Sequence, residues 1–315
     1  MTAMLLESAV EQGFIYALVA LALYLSYRVL DIADLTTDGT FVLGSAVSAV
    51  FSAAGKPVLG LVLAFFAGCA AGFVTAFLHT RMKVQAILAG IITMTGLYTI
   101  NLWTMGNRAD LPLLKADTVF TRAAAVLGSE WSKLIVCAAI TIAAAAAMAL
   151  FLKTQIGLSI RATGDNRDMV SASSIDPAFT ITVGLCIANG CTALSGGVLA
   201  QYQMSSSMSL GTGVVVIGLA SLIIGEMFTR RGGVWRGVAA AVIGSIVYRV
   251  LMVFALRTSA NPSNLKLISA VIVAVAISWP ALTAWVPAQA GRQRKGGALK
   301  CSPSLASPRP STPAP

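Results

Sequence analysis

Long apolar runs at 9–27, 40–54, 57–78, 86–105, 133–152, 178–202, 213–229, 237–256 and 267–287 are separated by short polar connections. About 20 helical residues cross a hydrocarbon core of ~30 Å, and most of these runs are that long. A backbone group left unpaired in lipid is costly, so spanning segments are helices or closed barrels; unbroken apolarity excludes the alternating ~10-residue segments of a barrel. Composition agrees, with 57% hydrophobic against 11% charged residues, too few charges to clothe a soluble domain. The chain is predicted to be all-α, a polytopic membrane protein with about 8–9 transmembrane or re-entrant helices. The run at 40–54 is short, either a crossing or a half-helix that re-enters.

Charge in the connections orients the chain. Placing 79–85, 153–177, 230–236 and the C-terminal tail on one side gathers Arg81, Lys83, Lys153, Arg161, Arg167, Arg230, Arg231, Arg236, Arg292, Arg294, Lys295, Lys300 and Arg309 there. The other side receives roughly half as many, which makes the basic side cytoplasmic. The same excess accounts for the net charge of +10 through anionic lipid head groups, with no need of nucleic acid. The N-terminus lies outside if 40–54 crosses and inside if it re-enters. No cleavable signal pattern precedes the first run, where Glu7 and Glu11 replace a basic n-region. Residues 1–290 read as the transmembrane domain, and 291–315, basic and rich in Pro and Ser, as a disordered cytoplasmic tail.

The five cysteines lack paired CxxC spacing and four of them, Cys69, Cys137, Cys186 and Cys191, lie in apolar runs. They read as buried thiols, and no metal or other cofactor is expected.

The polar island 153–177, KTQIGLSIRATGDNRDMVSASSIDP, is out of keeping with its surroundings, and a surface for a soluble partner would explain it. Asp165 is a candidate N-cap, with Asp168 three residues on in a variant capping box and near the positive end of the helix dipole. A short helix is predicted over 166–173. Asp176 then caps the following span, whose first residue, Pro177, lacks the N–H that would have been unpaired there. The plain alternative is an ordinary polar connector.

The run IGLSIRATGDNRDM, with LDIADLTTDGTFVLG at 30–44, LAGIITMTGLYTINLWTMG at 88–106 and GLASLIIGE at 218–226, resembles the permease subunits of bacterial ABC-type uptake systems. The similarity is to permeases related to branched-chain amino acid transporters, in the subgroup of tryptophan/tyrosine or uncharacterised solute import. The resemblance implies a multi-pass protein of the bacterial inner membrane. It also implies a cytoplasmic ATP-binding subunit, an extracytoplasmic solute-binding protein and a second permease copy, in a homodimer, as partners. The cargo it implies is an amino acid or related small solute. By the same resemblance the ATPase-coupling residues are Gly164, Asp165, Asn166, Asp168, Met169 and Ile175. The family pattern has Gly where this chain has Ser174 and a larger residue at Ser173. The chain has no GxxxxGK[ST] loop to cradle phosphates, so it is not expected to be an enzyme using ATP itself.

Ionisable groups within apolar runs are functional candidates. Glu226 stands near the cytoplasmic end of its run with Arg230 four residues on, which suggests an ion pair along the helix. Arg249 is deeper and must face the bundle interior, where backbone carbonyls, a helix C-terminus or an anionic group of the solute would satisfy it. The segment 31–39 places three acids beside the short run; Asp38 or Thr37 is expected to cap a helix from about Thr40. That segment either lines the translocation path, as half-helix termini do, or is a surface loop. Candidate path residues are Asp34, Thr37, Asp38, Asn101, Asn189 and Gln201, although amides and hydroxyls in such runs also serve as ordinary packing contacts.

Two rival classes are weaker. An ion-coupled secondary transporter, the alternative function, needs deep acidic ligands, and apart from the 31–38 acids only Glu226 is placed for that. The ALSGG stretch at 193–197 suggests an intramembrane serine protease, but the sole histidine, His79, lies in a connection and offers Ser195 no base.

Overall fold

The computed structural model describes residues 2–114, 116–128, 131–228, 233–258 and 274. The last predicted run, 267–287, and the tail 291–315 lie outside the described residues. Helix α1 (Thr2–Leu23) continues as a π-helical segment, Tyr24–Val29, and is followed by α2 (Thr36–Ala53), α3 (Pro57–Thr80) and α4 (Ala86–Thr104). After β1 (Asp110–Pro112) come α5 (Val119–Leu127), α6 (Ser132–Phe151), α7 (Gln155–Asp165), α8 (Arg167–Ala172) and α9 (Pro177–Gln203). The chain then forms β2 (Ser205–Ser207), a 3-10 turn at Met208–Gly211, α10 (Val214–Phe228) and α11 (Val234–Thr258). Seven stretches of the described residues are long and apolar enough to cross a membrane. The chain is therefore an all-α, multi-pass membrane protein.

Helix α2 is absent from those seven, and its position explains why. It runs through the middle of the bundle between α3 and α9, with thirteen of its residues buried. Surrounded by protein rather than lipid, it carries Thr36, Thr40 and Ser48 bonded to the neighbouring helices α3 and α9, Thr37 to the Asp34 carbonyl and Ser45 to Ser206, while the buried Ser52 Oγ has no partner among the described residues. Small residues let it approach α9 closely: a Cβ at Gly44 would strike the Ala193 backbone, and one at Gly196 the carbonyl of Phe41. Here α2 and α9 run in the same direction, since Thr40 meets Asn189 and Ser48 meets Gln201. Helix α1 runs opposite, with Glu11 at Tyr202 and Leu30 at Gly184. The segment 40–54 is thus antiparallel to the first run, and the N-terminal end of α1 lies away from the basic connections.

One end of the bundle carries α7, α8 and the connections holding Arg81, Lys83, Lys153, Arg161 and Arg167. The other is closed by the antiparallel β1–β2 ribbon, registered Asp110 to Ser207. From that ribbon the chain dips back inside. Ser206 Oγ lies 2.9 Å from Ser45 Oγ, and the Gly213 and Val215 amides donate to Asp38 at 3.1 and 2.9 Å. Asp38 is about 22 Å along α2 from Ala53 at ~1.5 Å per residue, so α10 begins within the bundle and is a half-helix. The predicted run at 213–229 marked the helix but not the depth of its start.

Candidate functional site

The polar island is built of two helices. Thr154 accepts from the Gly157 amide to start α7, and a Cβ on Gly157 would meet the Phe151–Leu152 backbone, so α7 folds tightly back under α6. Asp165, expected as an N-cap, is instead the last residue of α7. Asn166 adopts the extended conformation a cap requires, φ −159° and ψ 106°, and its Oδ1 accepts from Met169 N–H at 3.0 Å. Asn caps as well as Asp, and the residue whose backbone is free of the preceding helix takes the role. Asp168 falls in the first turn of α8, where its charge meets the helix dipole. Helix α8 ends as a Schellman turn: Ile175 N–H bonds to Val170 C=O and Ser174 N–H to Ser171 C=O, with Ser174 left-handed at φ 61°. Asp176 accepts from Ala178 N–H at 2.9 Å with Pro177 as the first residue of α9, as its sequence suggests.

Helix α8 buries Val170 and presents Arg167, Asp168, Met169 and Ser171, with Met169 57% exposed. Behind it Gly164 lies so near α1 that a Cβ would strike the Val29 carbonyl. Thr163 Oγ1 meets Thr180 Oγ1 at 2.8 Å. Packed contacts therefore link α7 and α8 to the end of α1, the hairpin at 30–35 and the start of α9.

That hairpin leads straight into a buried polar network. Asp34, 4% exposed, accepts from Thr36 N–H at 2.9 Å and from Asn189 Nδ2 at 2.6 Å. Asn189 Oδ1 accepts from Thr40 Oγ1 at 3.0 Å, Thr37 Oγ1 donates to the Asp34 carbonyl at 3.0 Å, and Thr36 and Thr75 hydroxyls meet at 2.8 Å. Helix α2 therefore starts at Thr36, ahead of the expected Thr40, with Leu35 at the N-cap position and the Thr36 N–H taken by Asp34 just before Leu35; neither Asp38 nor Thr37 caps it. Asp38 caps α10, neutralising the positive end of that half-helix with a carboxylate from the same chain.

The other candidates are spread out. Asn101 Nδ2 donates to Gly39 C=O at 3.2 Å, beside Asp38, while its buried Oδ1 has no partner among the described residues. Gln201 is held nearer the ribbon end by Ser48 Oγ, Pro57 C=O and Val119 N–H, at 2.9, 3.0 and 2.9 Å. The structure thus brings Asp34, Thr37 and Asn189 into one network, sets Asp38 and Asn101 around Gly39, and leaves Gln201 apart.

Glu226 pairs with Arg28 at 2.9 Å; Arg230 lies outside the described residues. Sequence spacing favours partners on one helix, whereas this pair joins α10 to the end of α1. Among the described residues, neither a carbonyl nor a helix C-terminus takes the Nε of Arg249; its guanidinium lies over the Tyr16 ring, 3.7 Å from the centroid. Ser195 Oγ donates to Ile15 C=O at 2.7 Å, a packing bond between α9 and α1.

A family model described as branched-chain amino acid transport system, permease component, matches residues 5–277. A tyrosine transport system permease protein of Clostridioides difficile (strain R20291) is 33% identical over 267 residues, 84% of this chain and 88% of that protein. An uncharacterised protein of Rickettsia prowazekii (strain Madrid E) is 30% identical over 279 residues, 87% of this chain and 97% of the other. No solved structure matches.

Proposed function

We propose, from the premise that this chain belongs to the branched-chain amino acid transport system permease family, that it forms the transmembrane path of an importer for an amino acid or similarly small solute. As an ABC-type permease it is a transporter subunit of the bacterial inner membrane rather than an enzyme. A separate cytoplasmic ATP-binding subunit drives it, and an extracytoplasmic solute-binding protein delivers the cargo. The tyrosine transport permease of C. difficile makes an aromatic amino acid the first cargo to test.

The observation that carries this reading is α8. It is too short to be stable alone, yet it is capped at both ends and shows Met169 and Asp168 outward, as a docking knob needs. In this mechanism Asp165, Asn166, Asp168 and Met169 face the ATPase, Gly164 seats α7 against α1, and Ile175 closes the Schellman turn. Closure of the ATPase pushes α8, and the α1–α2 hairpin carries the displacement to Asp34, Thr37 and Asn189. Breaking and remaking those bonds shifts α2 against α9, opening the path past Asp38 and Asn101. Gln201 fixes the outer ends of α2, α3 and α9.

A second copy of the chain supports the other wall of the path. Among helical glycines of the described residues, Gly96 alone has no packing neighbour for an added Cβ, and its face of α4 exposes Thr95 and Thr99. Both helices expose apolar side chains, Ile92, Tyr98, Ile100 and Trp103 on α4 and Ile142 and Leu150 on α6, but α6 contains no glycine to let a second backbone approach. An uncharged α4 face with a small residue between hydroxyls meets its own copy across a two-fold axis without setting like charges together.

Uptake of radiolabelled amino acids into right-side-out membrane vesicles loaded with ATP, with the ATPase co-expressed and the binding protein supplied, tests the reading. ATP-dependent uptake is expected. Uptake powered by a proton gradient without ATP would establish the rival ion-coupled transporter.

A further inference from the structure

Arg249 sits about 22 Å from the Val234 end of α11 and about 13 Å from the Thr258 end, at ~1.5 Å per residue. A bare guanidinium at that depth requires an anion or several acceptors. Its face rests on Tyr16, and Tyr16 stacks in turn on the fully buried Phe41, with centroids 5.9 Å apart. Stacking occupies the face of the planar group but leaves its N–H donors, which lie in the plane at the rim. Nε is buried and donates to nothing among the described residues.

Among the described residues no carboxylate pairs with Arg249. Of the chain's twelve acidic residues, only Glu11, Asp34, Asp38 and Glu226 lie within the bundle helices or their hairpin with described partners near the core. Those four are engaged by Tyr202, by Thr36 and Asn189, by Gly213 and Val215, and by Arg28. Of the other eight, Glu7 lies in α1, Asp31, Asp110, Asp117 and Asp176 in the connections, and Asp165 and Asp168 in α7–α8; Glu130 lies outside the described residues, and 259–315 contain no Asp or Glu. A membrane helix keeps such a cation where an anion visits.

We propose that Arg249 binds the carboxylate of the transported solute, with Nε and a neighbouring terminal N–H forming a two-point fork and Tyr16 fixing its plane. The inference rests on the reading of the cargo as an amino acid. Phe41 stands one turn beyond Asp38 on α2, so the Arg249–Tyr16–Phe41 stack ties the site to the helix that the coupling element moves. A lipid phosphate offers related chemistry, and the two anions are told apart by the experiment that follows.

Thermal unfolding of the purified full-length permease, with free amino acids, tyrosine first, and with the matching amides, tests the site apart from ATP-driven transport. The expected result is stabilisation of the wild type by a free amino acid but not by its amide. Arg249→Met should unfold no earlier than wild type, since an apolar chain replaces an unpaired charge, yet require roughly 100-fold more ligand for the same shift. Arg249→Lys should keep a weakened response, and serves if the Met variant fails to fold. The proposal is overturned by no amino-acid response in the wild type, by equal responses to acid and amide, by an unchanged response in both variants, or by an Arg249-dependent response to phosphatidylglycerol alone. An amino-acid response that needs Arg249, combined with uptake independent of ATP, upholds the site and removes the ABC importer reading instead.

Discussion

Ser174 shows how a single residue departs from a pattern at a physical cost that is measurable. It holds the left-handed position that closes α8, with φ 61°, where a side chain costs about 1 kcal/mol relative to glycine. Ser174→Gly should raise the stability of the detergent-solubilised permease by about 1 kcal/mol, read from its denaturation midpoint; an unchanged or lower midpoint would show that the turn is not strained. Asp34 is a sharper case. Asp34→Ala leaves the Thr36 N–H buried without an acceptor and Asn189 Nδ2 with only the Leu185 carbonyl, a loss of about 3 kcal/mol. Asp34→Asn should cost much less, because the introduced Oδ1 still accepts from Thr36 and a flipped Asn189 amide can pair with both the introduced amide and Thr40. Equal losses in the two variants would contradict that bonding scheme. These residues were visible in the sequence as polar groups in apolar surroundings, but their partners were not. Asp34 and Asn189 are 155 residues apart, and no local spacing rule links α2 to α9.

Among the elements, local signals told most where partners are local. Asp176 with Pro177 marks the start of α9 because cap and first turn are adjacent in sequence. Asp165 and Asn166 are equally good caps by type, and the choice between them was decided by α7, whose helical pattern the polar composition of 155–165 concealed. The shortness of α2 and α10 also had different causes. Helix α2 is polar because protein encloses it, while α10 is short because its first turn is seated on Asp38 inside the bundle. Glycines separate packing from propensity in the same way. Gly196→Ala forces a methyl into the Phe41 carbonyl and should part α2 from α9, lowering the unfolding midpoint markedly. Gly96→Ala meets nothing in its own chain and should stabilise α4 by up to about 1 kcal/mol, whereas Gly96→Leu should weaken dimerisation measured by native mass spectrometry. A dimer indifferent to Gly96→Leu would place the second copy on another face.

For the whole molecule, the proposed coupling turns on how α8, at one end of the bundle, is joined to the polar bonds inside it. Helix α8 makes few contacts with the bundle except through α7 and the start of α9, and α7 meets α1 at Gly164, where the Val29 carbonyl leaves no space for a side chain. The end of α1 that Gly164 meets is π-helical, where Leu30 N–H reaches back to Leu25 C=O and Ile32 N–H to Ser26 C=O. Gly164→Val must move α7 away from α1 while leaving the exposed residues of α8 unchanged. The expected outcome is a permease that still co-purifies with its ATPase, and still forms a disulfide with it from a cysteine placed at Met169, but transports at least about tenfold more slowly, a loss of ~1.4 kcal/mol in coupling. Loss of co-purification would make Gly164 part of the docking surface itself, and undiminished transport would show that force enters the bundle through α9 rather than through the α1–α2 hairpin.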